Sequence, residues 1–211
     1  LGRAIDSVLK QTYTDWELII IDNHSKDETD QLIVGYHNSK IILLKIHNDG
    51  IIAKSRNLGI RQSKGELIAF LDSDDWWTKG KLYESVKEMK FAQADLIYHS
   101  LFKVVKEKQI FYPKLKIRKL NVNVFEDLLI GGNCIPNSSV IVKKRELENI
   151  GYLCEKPEIR TWEDFDAWIR ISKITNNFHK VNKTLGYVWL GGGNEAMGGN
   201  NKQNIEQVFS N

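Results

Sequence analysis

Three aspartates within four residues form the most distinctive polar group in the sequence. Asp72, Asp74 and Asp75 directly follow the apolar run at residues 67–71, with Ser73 among them. Carboxylates this close together repel one another unless a cation neutralises them. Hard oxygen ligands suit Mg²⁺ or Mn²⁺, which proteins often bind jointly with substrate phosphates. A solvated acidic turn is the simpler alternative, but delivery of the cluster by a buried strand favours a metal site.

A second carboxylate ends another apolar run. Asp22 follows residues 16–21 and precedes Asn23. A carboxylate at a strand end can accept hydrogen bonds from a nucleotide base or ribose, and the helix that follows offers free backbone N–H groups. The alternative is an ordinary capped turn, in which Ser25 or Asp27 caps that helix.

Two predicted helices carry charged side chains near their starts. Arg56 lies in a helix predicted at residues 51–62, from which it can meet phosphates or brace the acidic cluster. Glu163 and Asp164 open a helix predicted at residues 163–174, where the helix dipole favours carboxylates. A carboxylate held there can deprotonate an acceptor hydroxyl. An amphipathic surface helix and a common acidic helix start are the respective alternatives.

Alternating strands and helices must position these residues. Short apolar runs rich in β-branched residues predict strands, and apolar residues at helical spacing predict helices. The predicted strands span residues 16–21, 41–46, 66–71 and 96–105, and the predicted helices span residues 1–9, 51–62 and 79–91, with another ending near residue 36. This alternation predicts βαβ units and a mainly parallel sheet. Because ligands bind beyond the carboxyl ends of such strands, both acidic positions are expected on one edge.

The second half of the chain is less regular. Helices are predicted at residues 124–130, 143–150 and 163–174, strands at residues 137–142, 178–181 and 185–190, and an extended segment at residues 109–117. The Gly- and Asn-rich residues 191–211 predict a mobile tail. Neither an internal repeat nor an interdomain linker is evident, so a single domain over residues 1–211 is expected.

Length and composition narrow the class of protein. The 211 residues fit one medium domain with a real core, and 42% apolar with 27% charged residues is ordinary for a soluble globular protein. The net charge of +3 is too small to indicate a nucleic-acid partner. Two cysteines match neither a zinc spacing nor a redox pair, which favours a reduced, cytoplasmic protein.

Membrane association is expected to be peripheral or to be supplied by a part of the protein outside this sequence. No window of the sequence reaches the roughly 18 apolar residues that a spanning helix needs. The basic stretch at residues 114–119 is a candidate contact for lipid headgroups at the inner face of the membrane. A solvated surface strand is the simpler interpretation of that stretch.

Taken together, these segments resemble glycosyltransferase family 2, whose members have the GT-A fold. Residues 7–13 and 16–22 resemble its first helix and second strand, residues 57–60 and 65–75 its metal-binding core, residues 137–140 and 163–170 its acceptor-side motifs, and residues 191–194 its late glycine-rich loop. The resemblance covers almost the whole chain. The family's first strand is missing before Leu1. Either the chain is a fragment, or it begins in a way that the family pattern does not describe.

The resemblance implies an α/β fold of the GT-A type, Rossmann-like, with helices flanking a mainly parallel sheet. Residues 1–105 would form the nucleotide-sugar-binding half and residues 106–211 the acceptor-side half. The implied reaction is a metal-dependent, inverting transfer from a nucleoside-diphosphate sugar, with UDP the expected nucleotide. The acceptor would be a hydroxyl of a saccharide or a lipid-linked molecule, in the synthesis of surface polysaccharide or glycolipid.

The same resemblance implies roles for individual residues. Asp22, with Asn23, would contact the base or ribose. Asp72 and Ser73 would lie near the ribose and sugar, with Arg56 among the donor-binding residues. Asp74, with Asp72, would hold Mg²⁺ or Mn²⁺ on the diphosphate. Asp164 would be the catalytic base, supported by Glu163.

Two other functions remain open on the sequence. A sugar-phosphate nucleotidyltransferase shares the general architecture, but it needs a Gly-rich, Arg-containing loop after its first strand, and that part is missing here. A non-catalytic domain that binds nucleotide sugars or serves as a scaffold is the second alternative. The intact Asp72, Asp74 and Asp164 argue against a non-catalytic role.

Overall fold

The structure is a computed structural model, which describes residues 1–106, 112–115 and 117–191. The mobile tail predicted at residues 191–211 lies outside these ranges except for its first residue. The extended segment predicted at residues 109–117 lies partly outside them.

Helices and strands alternate through the first half of the chain, as predicted. The helices are α1 (Gly2–Leu9), α2 (Thr29–Val34), α3 (Ile52–Gln62), α4 (Lys81–Phe91), α5 (Val124–Gly131), α6 (Lys144–Asn149) and α7 (Glu163–Ser172). The strands are β1 (Leu18–Asp22), β2 (Ile41–Lys45), β3 (Leu67–Ala69), β4 (Trp76–Trp77), β5 (Leu96–Val104), β6 (Ile141–Lys143) and β7 (Phe178–Trp189). Short 3₁₀ turns span Asn137–Ser139 and Pro157–Ile159.

The strands of the described residues form two sheets. β1 and β2 pair in parallel, and a separate five-stranded sheet has the order β3-β6-β5-β7-β4. Within the larger sheet β5 and β7 are parallel, whereas the pairs β3–β6, β5–β6 and β4–β7 are antiparallel. The predicted α/β fold is confirmed, but the sheet is mixed where a mainly parallel one was expected. The difference comes from β6, which runs antiparallel to both of its neighbours, and from the antiparallel pair β4–β7.

Two local predictions differ from the structure at β6 and β7. The strand predicted at residues 137–142 begins only at Ile141, because the preceding 3₁₀ turn packs beneath the acidic cluster. The two strands predicted at residues 178–181 and 185–190 are one strand, β7. Its pairing jumps from His99↔Val181 to Ser100↔Thr184, so two exposed residues form a bulge that interrupts the apolar pattern.

Of the two candidate caps of α2, Asp27 accepts from the backbone N–H of the first helical residue and Ser25 does not. The helix begins at Thr29, and its N-cap residue Glu28 makes no side-chain cap hydrogen bond. The Ser25 hydroxyl instead donates to Asp22 Oδ1 at 2.6 Å, and Asp27 Oδ1 accepts from the Thr29 backbone N–H at 3.1 Å. Ser25 bonds to Asp22 because burying a carboxylate is unfavourable unless it accepts hydrogen bonds.

The hydrophobic core lies on both faces of the larger sheet. Leu96 and Tyr98 of β5 pack into a cluster with Trp168 of α7, whereas Ile97 between them packs into a second cluster with Leu82 of α4. This alternation is the period of two that a strand imposes on its side chains. Each such buried side chain contributes about 1.5–3 kcal/mol to folding. In the part of the chain that the structure describes, no helix combines the length and apolar character needed to cross a bilayer.

Candidate active site

The acidic turn, residues 72–75, follows β3 as the sequence predicts. The backbone N–H of Asp75 donates to the Asp72 carbonyl at 3.1 Å, which closes the turn. Ser73 and Asp74 are exposed, and their side chains form no hydrogen bond or ion pair with any described residue. Asp72 is half-exposed, whereas Asp75 is buried. The turn therefore presents Asp72 and Asp74 outward while Asp75 points into the protein.

A buried 3₁₀ turn supports the acidic turn from below. Asn137 Nδ2 donates to Asp72 Oδ1 at 3.0 Å, and the Asp72 backbone N–H donates to Ser138 Oγ at 3.1 Å. Trp77 Nε1 donates to the Ser138 carbonyl at 2.8 Å. The resemblance assigned residues 137–140 to the acceptor side. Asn137 and Ser138 lie under the acidic turn, a placement that sequence reasoning missed because nothing local in their sequence points to Asp72.

Asp75 joins the acidic turn to the end of β7. The backbone N–H of Trp189 donates to Asp75 Oδ1 at 2.9 Å. Burial raises the pKa of Asp75 to about 7, although hydrogen bonds from Ser138 and Trp189 oppose the rise. Asp75 therefore has a structural position, tied to the sheet, and is not exposed for binding as Asp74 is.

Arg56 of α3 connects the acidic turn to the start of α7. Its Nη2 lies 2.8 Å from Asp72 Oδ1, and its Nη1 lies 2.5 Å from Glu163 Oε1. The Arg56 side chain is only 16% exposed, and burial opposes its charge. The carboxylates of Asp72, Glu163 and Asp164 outweigh that burial and raise the pKa of Arg56. The predicted brace between α3 and the acidic turn is present and extends to α7.

The start of α7 places two carboxyl groups beside Arg56. Glu163 is buried in its ion pair, whereas Asp164 is half-buried and accepts a 2.6 Å hydrogen bond from the Phe165 backbone N–H. Burial raises the pKa of Asp164 to about 7; Arg56 opposes this rise and Glu163 adds to it. A carboxyl group with this pKa exchanges protons readily near neutral pH, which suits a general base.

The Asp22 carboxylate is engaged by Ser25 of its own loop and by Lys45 at the end of β2. This carboxylate is buried and accepts from the Ser25 hydroxyl and backbone N–H, with Lys45 Nζ 3.8 Å from Oδ2. Burial disfavours the charge, but the Ser25 hydrogen bonds and Lys45 together lower the pKa of Asp22. Among the described residues, no hydrogen bond or ion pair links Asp22 to the acidic turn.

Asn23 links the β1 loop to α3 instead. The Asn48 backbone N–H donates to Asn23 Oδ1 at 2.9 Å, and Asn48 Nδ2 donates to Ser55 Oγ at 2.8 Å. Ser55 directly precedes Arg56. Beside this chain of contacts the rings of His24 and His47 stack with centroids 3.8 Å apart, a pairing that the sequence did not predict.

Asp72 and Asp74 have the free oxygens that a divalent cation needs. Asp72 Oδ1 is held by Arg56 and Asn137, but Asp72 Oδ2 makes no hydrogen bond, and the carboxylate of Asp74 is unengaged in the described chain. No group of three His, Cys, Asp or Glu side chains among the described residues forms a complete metal site. Mg²⁺ characteristically uses one or two carboxylates and takes its other ligands from phosphates and water, so these two residues fit such an ion.

The chain is similar to known glycosyltransferases. Residues 1–143 match the family model described as glycosyl transferase family 2. Over 182 residues the chain is 30% identical to UDP-Glc:alpha-D-GlcNAc-diphosphoundecaprenol beta-1,3-glucosyltransferase WfgD of Escherichia coli, covering 86% of this chain and 68% of that protein. It is also 30% identical to an uncharacterized glycosyltransferase of Rickettsia felis, covering 96% of this chain and 33% of that protein.

Similarity also extends to solved structures. The S. aureus TarS 1-349 structure in complex with UDP aligns with a TM-score of 0.69 and 20% identity. The alignment covers 89% of this chain and 56% of that chain. This match shows the fold, and it confirms the predicted GT-A architecture. The chain therefore spans between about a third and two thirds of the proteins that it matches.

Proposed function

Because the chain belongs to glycosyl transferase family 2, we propose that it transfers a sugar from a UDP-sugar to a hydroxyl of a lipid-linked saccharide, with inversion and with a divalent cation. The name of the relative WfgD supports a UDP-glucose-like donor and an acceptor that carries a diphosphate lipid. That name also specifies a β-linked product, and a β-linked product requires inversion when the donor sugar is α-linked. Such an acceptor would bring the domain to a membrane surface.

The observation that carries this proposal is the double ion pair of Arg56. It brings the acidic turn, proposed to bind the donor, and the start of α7, proposed to bind the acceptor, to opposite sides of one guanidinium. Holding both reactants in one geometry is a large part of catalysis for a single-displacement reaction. We assign donor binding to residues 1–105 and acceptor binding to residues 106–211, with Arg56 and Glu163 joining the two halves.

Asp164 is the proposed general base. Its half-buried carboxyl group and raised pKa suit removal of a proton from the attacking acceptor hydroxyl. The deprotonated oxygen then bonds to the anomeric carbon as the bond from that carbon to the diphosphate breaks, and the proton remains on Asp164. Glu163 is the proposed positioning residue, because its ion pair with Arg56 fixes the first turn of α7.

Asp74 and Asp72 would hold Mg²⁺ or Mn²⁺, on the strength of their free oxygens. When bound, such a cation neutralises the diphosphate and makes it a better leaving group. Asn137 and Ser138 would keep Asp72 oriented through their two hydrogen bonds. Ser73 is exposed at the same turn and is the proposed contact to the donor sugar, while Asp22 and Asn23 shape the loop proposed to receive the base.

A donor panel tests this function. Thermal unfolding is measured with UDP-glucose, UDP-N-acetylglucosamine, UDP-galactose and GDP-mannose, each with and without Mn²⁺, and the product of turnover is identified. A ligand at 100 times its Kd stabilises a protein by about 2.7 kcal/mol. We expect a Mn²⁺-dependent shift with at least one UDP-sugar, and release of UDP.

A matched pair of variants tests the metal assignment in the same panel. Asp74→Asn removes an exposed, unengaged carboxylate and should abolish the Mn²⁺-dependent shift. Asp15→Asn, also exposed, should leave the shift unchanged. Release of pyrophosphate instead of UDP, or the absence of any response to all four donors, would contradict the proposed function.

A further inference from the structure

Arg160 lies across from the loop that precedes α3, in contact with Gly50. A methyl group at Gly50 would lie 2.8 Å from Arg160 Nη2 and 3.1 Å from Arg160 Cζ. Gly50 also has a φ of 74°, a conformation that residues with side chains rarely adopt. The guanidinium end of Arg160 therefore occupies the space that a side chain at position 50 would fill.

The Arg160 guanidinium forms no hydrogen bond and no ion pair within the described residues. Asp49, the acidic residue next to Gly50, is paired with Lys54 at 2.8 Å and its side chain is 72% exposed. Arg56 of α3 is already engaged by two carboxylates. Arg160 is exposed, and its guanidinium donors are free to meet a ligand.

The backbone beside Arg160 is strained. Thr161 has a φ of 74°, which is an outlier for a β-branched residue. Residues held in such conformations are concentrated at functional sites, where the surrounding structure enforces them. Only Thr161 and Trp162 lie between Arg160 and Glu163 in the chain. The strained turn consequently fixes where Arg160 leaves the chain relative to the proposed base.

We propose that Arg160 binds a phosphate group of a substrate, from either the donor diphosphate or the diphosphate of the acceptor. The planar guanidinium presents parallel N–H donors that match phosphate oxygens. A phosphate group that approaches the start of α7 meets the carboxyl groups of Glu163 and Asp164, so it needs a cation that is not already paired. This inference rests on the proposed function, because that function supplies the two diphosphates.

Three variants test the inference. Arg160→Gln removes the charge at similar size, and Arg160→Lys keeps the charge but loses the planar fork. Arg145→Gln is the matched control, since Arg145 is exposed and pairs with Asp95 beside the amino end of β5, away from the acidic turn. Calorimetry measures the Kd of UDP with Mn²⁺, and kinetics compare an alkyl N-acetylglucosaminyl diphosphate with an alkyl N-acetylglucosaminide that lacks phosphate.

The two phosphate sources give different results. If Arg160 contacts the donor, Arg160→Gln weakens UDP binding about tenfold and lowers kcat/KM equally for both acceptors. If it contacts the acceptor, UDP binding is unchanged and KM rises about tenfold for the diphosphate acceptor alone. In both cases Arg160→Lys recovers part of the loss and Arg145→Gln changes nothing.

Values within twofold of wild type for Arg160→Gln, in UDP binding and with both acceptors, would overturn the inference. A wild-type protein that transfers no sugar is a separate failure, of the proposed function. In that event calorimetry with UDP and with the alkyl diphosphate still compares Arg160→Gln with wild type, and equal affinities there would overturn the inference as well.

Discussion

Arg56 Nη1 lies 2.5 Å from Glu163 Oε1, although the two residues are 107 positions apart in the chain. The other terminal nitrogen of the same guanidinium lies 2.8 Å from Asp72 Oδ1. One side chain on α3 therefore fixes the spacing between the acidic turn and the start of α7. Stability and activity should both depend on this pair of contacts. Single and double variants of Arg56 and Glu163 can distinguish the effect on stability from the effect on activity.

Replacing Arg56 with Met should destabilise the protein by about 3 kcal/mol, because Glu163 is left buried and unpaired. The free energy of unfolding from urea titration measures this loss. The double variant Arg56→Met with Glu163→Gln should recover part of it, since the buried charge is then removed. Transfer activity should fall about 100-fold in both variants, because the acidic turn and the start of α7 are no longer held at a fixed distance and orientation. Full activity in the double variant would show that the bridge is structural only.

Gly50→Ala and Gly151→Ala form a matched pair for the contact with Arg160. Both glycines have a positive φ, 74° and 72°, so each substitution should cost about 1 kcal/mol of stability. Only the methyl group at position 50 meets Arg160, whereas nothing lies within 4 Å of one at position 151. Gly50→Ala should therefore also lower kcat/KM several-fold. Equal activity in the two variants would mean that the position of Arg160 has no effect on turnover.

The buried Lys81 side chain should destabilise the folded protein. This side chain is fully buried, and among the described residues its Nζ contacts the Val140 carbonyl at 3.5 Å and lies 3.9 Å from the centroid of the Trp77 ring. Burial lowers the pKa of Lys81 well below its ordinary value, which disfavours the charged ammonium group. Lys81→Met should stabilise the protein by about 1–3 kcal/mol at pH 7.

The pH dependence gives a second readout for Lys81. The unfolded chain binds a proton at Lys81 that the folded protein binds less readily, so wild-type stability should rise as the pH increases above the lowered pKa towards 10.5. Lys81→Met should lack this rise. Urea titrations at three pH values measure it, and a Met variant that is less stable at pH 7 would show that Lys81 is charged and held by Trp77.

Asp95 should stabilise the folded protein at neutral pH and lose this effect in acid. Its carboxylate accepts hydrogen bonds from Lys143, Arg145, Thr175 and Asn177, which hold the Asp95 pKa below 3.8 although burial opposes this. A lowered pKa stabilises the fold above pH 3.8, and the contribution disappears as the pH falls through the lowered value. Asp95→Asn should cost about 2 kcal/mol at pH 7 and progressively less below pH 4. The exposed Asp15→Asn is the control, and a loss for Asp95→Asn that is independent of pH would contradict the ionic explanation.

Sequence reasoning predicted the elements whose pattern is local. The apolar run before Asp72 and the amphipathic spacing of α3 and α7 placed Asp72, Arg56 and Asp164 on the correct kinds of element. The two-residue strand β4 at Trp76–Trp77 was missed, because so short a strand has no period of its own and exists only through its pairing with β7.

Contacts between distant segments were the part that the sequence did not reveal. Asn137 reaches Asp72 across 65 positions, and the Asn137 sequence looks like an ordinary turn. The contact of Arg160 with Gly50 depends on two positive φ values that no composition predicts. Asp22 shows that a local contact can also be missed. From the sequence Asp22 could serve either in binding or in a capped turn, and the structure shows that its carboxylate accepts from Ser25.

The variant Asp164→Asn tests whether Asp164 is the base of a glycosyl transfer. Asp166→Asn on the same helix, where Asp166 pairs with Arg170, is the control for changes in folding. Transfer from the UDP-sugar identified in the donor panel is measured beside the Kd of that donor. If Asp164 is the base, Asp164→Asn loses at least 100-fold in kcat with donor affinity within twofold of wild type, and Asp166→Asn retains transfer. Wild-type turnover by Asp164→Asn would rule out this role.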